Sequence, residues 1–233
     1  AQELPELLVA GRTAFADFLD RPAVACLWWP RFVAMAGWLI NEEKIRSVDI
    51  EKIYSEINAS WNFEVAGKPF TLSTRIDRLE QLKSHPASSE AAAQDLTQSL
   101  ANPVLTTALP HRMTAQYAII DYKTGTVPSK RDRENGLSNQ LPLEALVVQY
   151  GQLPEGISAG AVTQMEYWKL SGSEVKCEIT KVETDIEETR ERLENLIAKF
   201  DDPTTPYAAQ ADGSLLRYND YEHLTRRKEW EVV

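Results

Sequence analysis

Residues 116–123 read QYAIIDYK and form the most clearly buried strand that the sequence predicts. A short apolar run of this length is typical of a core strand, and this one ends in charged residues. Side chains two positions apart on a strand point to the same face, so Asp121 and Lys123 share a face. Ile120 and Tyr122 point the other way. Taken alone, the charged pair is open to two interpretations: an exposed ion pair, which contributes little to stability, or part of a functional site.

A β-hairpin is predicted upstream of this strand. Apolar residues alternate over 53–65 and again over 70–76, with a turn at 67–68 between the two runs. Asp77 follows at the predicted end of the second strand. Carboxylates at the ends of adjacent strands can converge on one divalent cation, and Mg²⁺ prefers such oxygen ligands. Asp77 and Asp121 are therefore candidate metal ligands.

A lysine beside two such carboxylates points to hydrolysis of a phosphodiester. A bound metal lowers the pKa of its water and makes that water a nucleophile near neutral pH. Lys123 can position this water and stabilise charge on the phosphate. Glu56 in the preceding strand and Gln140 on the following helix are candidate assisting residues. Glu56 equally fits a solvated strand position, and Gln140 equally fits a plain helix surface.

The rest of the chain alternates helical and extended patterns. The predicted elements are helices over 4–18, 30–46, 138–150 and 183–200, a surface loop inserted over 84–109, a polar loop over 124–135, a strand pair over 160–170 and 174–181, and a short terminal helix over 220–230. This order predicts an α/β fold in which helices flank a central mixed β-sheet.

Composition limits the function classes. The chain has 35 acidic and 25 basic residues, a net charge of −10, whereas a module that holds nucleic acid by charge alone is usually basic. Cys26 and Cys177 are too few for a disulfide framework or a four-cysteine cluster, so we expect two thiols in a reducing cytosol and no iron–sulfur cluster. No apolar run approaches the roughly 20 residues that span a bilayer. We expect a cytoplasmic protein with no membrane association.

Three ordered motifs resemble the signature of RecB-family nucleases in the PD-(D/E)xK superfamily. They are STRIDRLE at 73–80, IIDYKTGTVPS at 119–129 and QLPLEA at 140–145. The chain is most similar to the carboxy-terminal nuclease domains of AddB-type subunits of bacterial AddAB helicase–nucleases, of the alphaproteobacterial type. WWPRF at 28–32 and DYEHLTRRKEW at 220–230 add to this likeness. The resemblance covers most of the chain.

This resemblance implies a restriction-endonuclease-like core in a single nuclease domain over residues 1–233. It implies a Mg²⁺-dependent DNA exonuclease, with Mn²⁺ able to substitute, that works with an AddA-like partner subunit in double-strand-break repair and recombination. The implied roles are metal ligands for Asp77 and Asp121, a metal-binding backbone carbonyl for Tyr122, the catalytic lysine for Lys123, an orienting or DNA-contacting glutamine for Gln140, and an auxiliary acid for Glu56.

The turn after the strand and the loop beyond it are candidates for contact with DNA. Gly125 matches a glycine of the family motif, where the missing side chain permits close approach of the backbone to phosphate. Lys130, Arg131 and Arg133 follow, and they fit either a phosphate-contacting loop or a solvated one.

The sequence also departs from the resembled family. Many relatives carry a metal-binding histidine on a helix before the hairpin, whereas the histidines here are His85, His111 and His223. The chain begins at Ala1 rather than Met, so we expect a fragment of a longer chain that is weakly active when isolated. Many relatives have tyrosine where Glu144 stands.

Two alternatives remain open. The first is a non-catalytic scaffold that keeps the nuclease fold, docks a helicase partner and guides DNA. The second is another PD-(D/E)xK enzyme, such as a stand-alone exonuclease or a CRISPR-associated nuclease.

Overall fold

The computed structural model describes residues 3–83, 115–171 and 177–206. The chain divides into two compact units, Ala1–Arg192 and Leu193–Val233. The sheet and the site described below lie in the first unit. The predicted loop over 84–109 and the predicted terminal helix over 220–230 lie outside the described residues.

The described residues form six α-helices and five strands. In chain order they are α1 (Glu3–Ala14), α2 (Ala16–Leu19), a π-helical segment (Val24–Trp28), α3 (Trp29–Arg46), β1 (Ile50–Val65), β2 (Lys68–Leu82), β3 (Gln116–Lys123), α4 (Lys130–Glu134), α5 (Gln140–Tyr150), β4 (Ala161–Lys169), β5 (Glu178–Lys181) and α6 (Ile186–Asp201).

The five strands make one mixed sheet in the order β1-β2-β3-β4-β5. β3 and β4 run parallel, and the other neighbouring strands are antiparallel. A parallel pair needs a crossover connection, and the segment that joins β3 to β4 contains α4 and α5. The fold is therefore α/β, a mixed sheet flanked by helices, consistent with a restriction-endonuclease-like core.

The hydrophobic core lies between the sheet and α5. Leu141, Ala145 and Val148 of α5 are completely buried, and they belong to one cluster with Leu79 of β2 and Ile119 of β3. Burial of this apolar surface holds α5 against the sheet. Because α5 begins at Gln140, this packing also fixes the start of the helix beside the end of β3.

The opposite face of the sheet is covered by α3 through ion pairs. Arg46 reaches Glu80 at 2.5 Å and Glu166 at 2.9 Å, and Arg78 reaches Glu43 at 2.9 Å. Glu80 and Glu166 are almost completely buried. Buried charges are tolerated only when they are paired, so α3 must stay on this face to supply Glu43 and Arg46.

The hairpin of β1 and β2 is distorted at one point. Ile76 and Leu79 both pack in the core, although three positions separate them and a regular strand would place them on opposite faces. Their partners on β1, Ile57 and Tyr54, show the same departure. Glu56, which lies between these partners, has a φ of 54°, an unusual value for a residue other than glycine. The strand register is the same on both sides, so the backbone distorts without an inserted residue.

Asp77 lies beside this distortion, within β2. The prediction that Asp77 ends its strand is wrong, since β2 continues to Leu82. Arg78 and Glu80 break the apolar pattern of the sequence, but they are buried by their ion pairs with α3. Because a local backbone distortion changes the direction of neighbouring side chains, the distortion at Glu56 affects where the Asp77 carboxylate points.

Other predicted boundaries move by a few residues. The hairpin turn is formed by Ala66 and Gly67, both with positive φ, and Lys68 already belongs to β2. The predicted loop over 124–135 contains α4, which is capped by Ser129. Cys26 and Cys177 are not bridged, as expected. Within the described residues, no helix combines the length and the apolar character that crossing a membrane requires.

Candidate active site

The end of β3 places Asp121 and Lys123 on one face, as predicted. Lys123 Nζ lies 2.8 Å from Asp121 Oδ2. The side chain of Asp121 is only 4% exposed and that of Lys123 is 28% exposed. The pair is therefore not the exposed ion pair that the sequence alone allowed, because its carboxylate is inside the protein.

Gln140 joins both members of this pair. Its Nε2 donates a hydrogen bond to Asp121 Oδ1 at 2.5 Å, and its Oε1 accepts one from Lys123 Nζ at 3.0 Å. A carboxylate only accepts and an ammonium only donates, so these two partners determine which way the amide points. Gln140 is thus a member of the cluster and not a plain helix-surface residue.

Asp77 reaches the same cluster from β2. The backbone N–H of Tyr122 donates a hydrogen bond to Asp77 Oδ2 at 3.2 Å. The Asp77 carboxylate therefore contacts the residue next to Asp121, and the structure brings the two aspartates to adjacent positions on neighbouring strands.

Tyr122 points away from this cluster, as strand alternation predicts. Its hydroxyl accepts a hydrogen bond from Arg78 Nη1 at 3.0 Å, on the face that α3 covers. Burial raises the pKa of Tyr122, and the neighbouring Arg78 opposes that shift. The proposed role of the Tyr122 backbone carbonyl as a metal ligand stays a prediction.

Glu144 is a member of the cluster that sequence reasoning missed. It is 3% exposed, and its Oε1 accepts hydrogen bonds from Gln140 Nε2 at 3.1 Å and from Thr74 Oγ1 at 3.5 Å. Residues four apart on a helix are neighbours, so the spacing from Gln140 was a signal that could have found it.

Burial also changes the acidity of Glu144. Burial, helped by the charges of Asp121 and Asp77, raises the pKa of this carboxyl to about 7, although the hydrogen bond from Gln140 and the charge of Lys123 act in the opposite direction. The cluster therefore holds a carboxyl group that takes up or loses a proton near neutral pH.

The remaining predicted site residues lie at the surface. Glu56 pairs with Arg75 at 2.6 Å, and both side chains are more than half exposed. The predicted DNA contacts lie on or beside α4, where Lys130 pairs with Glu134 at 3.7 Å and Arg133 Nη1 donates to the backbone oxygen of Pro128 at 2.5 Å. The ion pair of Glu56 is thus with Arg75 at the surface, away from the cluster of Asp121, Lys123 and Gln140.

The donor atoms of the cluster suit a hard divalent cation. Asp121 Oδ2 is buried and accepts no hydrogen bond of acceptable geometry from the described residues, although the Lys123 ammonium is close. The Asp77 carboxylate is adjacent, and carboxylate oxygens are the ligands that Mg²⁺ prefers. No group of three His, Cys, Asp or Glu side chains within 3–83, 115–171 and 177–206 is arranged to hold a metal. Asp77 and Asp121 are the carboxylates whose oxygens would suit such an ion, and the remaining coordination positions would then be filled by water.

Comparison with known families agrees with the fold. Residues 111–214 match the family model of the PD-(D/E)XK nuclease superfamily. The matched segment contains Asp121, Lys123, Gln140 and Glu144, whereas Asp77 precedes it. The match supports a nuclease-type domain of this superfamily.

Similar proteins occur in Rickettsia. An uncharacterized protein of Rickettsia bellii is 24% identical over 209 residues, which are 84% of this chain and 22% of that protein. An uncharacterized protein of Rickettsia conorii is 27% identical over 220 residues, 85% of this chain and 23% of that protein. One of Rickettsia typhi is 23% identical, over 86% of this chain and 24% of its own length. The chain spans under a quarter of the length of these relatives.

Proposed function

We propose that this chain is a metal-dependent DNA nuclease domain that hydrolyses phosphodiester bonds. The observation that carries the proposal is the cluster in which Gln140 bridges the buried Asp121 and the half-buried Lys123 beside Asp77. Its members come from three different elements, β2, β3 and α5. An ordinary surface ion pair would not need partners from three elements, because exposed ion pairs contribute little to stability.

Each member of the cluster has a role that follows from its contacts. Asp77 and Asp121 would hold Mg²⁺ or Mn²⁺, which when bound polarises the phosphate and lowers the pKa of a bound water. An ammonium has three N–H groups, and Lys123 Nζ lies close to Asp121 and Gln140. With two N–H groups used in these contacts, the third would be left to hold the attacking water or a phosphate oxygen. Gln140 keeps the lysine and the aspartate at a constant separation.

The assembly in which this domain works is proposed from the resemblance. The ordered motifs favour a RecB-family exonuclease of the AddB type that degrades one strand of a duplex during double-strand-break repair, with an AddA-like helicase–nuclease subunit as partner. A domain that spans under a quarter of its relatives is compatible with such a larger assembly. Lys130, Arg131 and Arg133 are proposed as phosphate contacts, and Glu56 as an auxiliary acid.

The direct test compares two lysines that lie side by side at strand ends. Lys123 and Lys169 are register partners on the parallel strands β3 and β4. We expect Lys123→Met to lower Mg²⁺-dependent degradation of single-stranded DNA by about a hundredfold or more, the usual size of the loss of a transition-state contact. Lys169→Met should leave the rate within about twofold, since such surface changes are usually small in effect.

The same assay with Mg²⁺ and with Mn²⁺ should include Asp121→Asn and an exposed carboxylate control, Glu155→Gln. Cleavage by Asp121→Asn equal to that of the unchanged chain would exclude the proposed site. Equal loss in Lys123→Met and Lys169→Met would exclude a specific role for Lys123.

The alternative is a non-catalytic scaffold that docks a partner. The N-terminal helical segment favours it, because Leu27 and Trp28 are more than half exposed and large exposed apolar groups often mark interfaces. Isothermal titration with Mn²⁺ separates the two proposals. Binding that Asp121→Asn abolishes supports the nuclease, and no binding at millimolar Mn²⁺ supports the scaffold.

A further inference from the structure

Glu144 is the one buried carboxylate of the cluster to which the nuclease motifs assign no role. It lies one helical turn after Gln140 in α5, and it is 3% exposed. Burial of a carboxylate costs free energy unless its oxygens are hydrogen-bonded. The polar side chains that bond to Glu144 Oε1 are those of Gln140 and Thr74.

The important feature is how the Gln140 amide is shared. Its Nε2 carries two N–H groups, and it donates to Asp121 at 2.5 Å and to Glu144 at 3.1 Å. Its Oε1 faces Lys123. Every polar atom of the amide is therefore engaged, and Glu144 is the partner that keeps the second N–H from turning elsewhere.

We propose that Glu144 is a positioning residue of the site, whose oxygen holds the Gln140 amide so that Gln140 spans Asp121 and Lys123. The proposal rests on the proposed nuclease function for its consequence, because Asp121 and Lys123 are the groups that it aligns. The hydrogen-bond geometry on which it stands does not depend on that function.

A second observation shows that this position is itself held in place. Glu144 also accepts from Thr74 of β2, three residues before Asp77. Neighbours of Glu144 on α5, Leu141, Ala145 and Val148, are packed in the core. Glu144 is thus supported from the sheet and from its own helix, as groups that orient reactive residues need to be.

The test distinguishes the role of Glu144 as a hydrogen-bond acceptor from the role of its negative charge. Glu144→Gln keeps an amide oxygen for Gln140 and Thr74, whereas Glu144→Met keeps the shape and removes the acceptor. We expect Glu144→Met to lower kcat about tenfold to a hundredfold, the usual cost of losing an orienting partner, with little change in KM for DNA. Glu144→Gln should recover most of that loss.

A spectroscopic readout makes the test independent of activity. The side-chain amide of Gln140 gives two proton resonances in a ¹⁵N-correlated spectrum, assigned by their disappearance in Gln140→Ala. In Glu144→Met we expect one of these protons to shift and to exchange faster with water. Glu144→Gln should leave both protons protected, and the exposed control Glu155→Met should leave them unchanged.

A double-mutant cycle shows whether Glu144 acts through Gln140. In a Gln140→Ala background the further change Glu144→Met should cost little, because coupled residues are not additive. If the effects of Gln140→Ala and Glu144→Met on the rate are fully additive, the proposal is overturned. It is also overturned if Glu144→Gln is as slow as Glu144→Met, because the negative charge and not the hydrogen-bond acceptor would then be what matters. If the unchanged chain cleaves no DNA, the nuclease proposal fails, while the Gln140 amide spectrum still decides the role of Glu144.

Discussion

Two buried carboxylates share one amide nitrogen at the centre of the cluster. Gln140 Nε2 donates to both Asp121 and Glu144, and the ammonium of Lys123 lies beside Asp121. Asp121 therefore has a charged partner, whereas Glu144 has only neutral hydrogen-bond donors. Burial, with the nearby charges of Asp121 and Asp77, raises the pKa of Glu144 to about 7.

The raised pKa of Glu144 predicts how stability depends on pH. The folded protein keeps this proton up to about pH 7, whereas the unfolded chain releases it near the ordinary value of 4.5. The stability that the protonated group contributes is thus complete below about pH 4.5 and is lost as the pH rises towards 7. Glu144→Gln removes this dependence. Relative to the unchanged chain, we expect its free energy of unfolding to gain on the order of 3 kcal/mol between pH 4.5 and 8.

Urea unfolding of both proteins at pH 5 and pH 8, in the presence of a chelator, measures this gain. Asp77, Asp121 and Lys123 face Glu144 and are common to both proteins, so their titration largely cancels. A difference between the two proteins that is the same at both pH values would contradict the prediction.

The sequence predicted some of these residues and missed one. Alternation along a strand is a local property, so the shared face of Asp121 and Lys123 was predicted correctly. The burial of Asp121 and the contact with Gln140 were not, because both depend on α5 packing over the end of β3. Glu144 was noted only as a departure from the resembled family. Its spacing from Gln140 was a local signal that was not used, whereas its contact with Thr74 on another element needed the tertiary structure.

At the scale of elements, β2 carries two arginines with opposite surroundings. Arg78 is buried and pairs with Glu43 and Glu80. Arg75 pairs with Glu56 at the surface. The two are three residues apart on one strand, so each serves as a control for the other.

We expect Arg78→Met to lower the free energy of unfolding by about 3–5 kcal/mol, because it leaves Glu80 buried with a partner missing. Arg75→Met should cost less than about 1 kcal/mol, as is usual for an exposed pair. Urea unfolding at neutral pH measures both. Equal effects of the two substitutions would show that the pairing between α3 and the sheet does not stabilise the fold.

Gly151 provides a second prediction at this scale. It ends α5 where the chain meets β1, and a Cβ there would lie 2.5 Å from the backbone oxygens of Ser60 and Val147. We expect Gly151→Ala to destabilise the protein by about 1–3 kcal/mol, as overpacking usually does. Gly125 is the control, since a Cβ there meets nothing within 4 Å.

Thermal unfolding of Gly151→Ala and Gly125→Ala distinguishes packing from function. Gly125→Ala should unfold like the unchanged chain. If it also cleaves DNA more slowly, the glycine serves close approach of a phosphate, as the motif implies. A stable Gly151→Ala protein would contradict the close contact with Ser60.

The largest departure from the predicted elements lies in the hairpin of β1 and β2. Regular alternation predicted that Ile53 and Ile57 lie on the same face of the first strand, and that the second strand ends at Asp77. In the structure Ile53 is exposed. The backbone of β1 is distorted at Glu56, so the side chains before Glu56 lie on the opposite face of the sheet from the one that regular alternation predicts. The pattern of apolar residues in the sequence cannot reveal this distortion. Arg78 and Glu80, which follow it on β2, are polar and yet buried, because they form ion pairs with Glu43 and Arg46 of α3.

At the scale of the whole molecule, a bound metal should stabilise the folded state. A ligand that binds only the folded protein raises its stability, by about 2.7 kcal/mol at a hundred times the dissociation constant. We therefore expect saturating Mn²⁺ to raise the Tm of the chain and of Glu155→Gln. Asp121→Asn should show little or no rise.

Differential scanning calorimetry with and without Mn²⁺ measures this shift. A full rise in Asp121→Asn would show that the ion binds elsewhere, and the proposed ligands would be wrong. Removal of the ion with a chelator should return the Tm of the unchanged chain to its metal-free value.

Within the described residues, the sequence by itself predicted the α/β class and most of the helices and strands, although it ended β2 too early and missed α4. It also contains the three motifs with Asp77, Asp121, Lys123 and Gln140. The elements follow from periodicity, which acts between residues that are near in the chain, whereas the motifs were identified by their resemblance to a known family. Only the tertiary structure decided that Asp121 is buried, that Glu144 joins the cluster and that Glu56 lies with Arg75 at the surface. Such features depend on contacts between distant segments, which bury one side chain and leave another in water according to what packs against it.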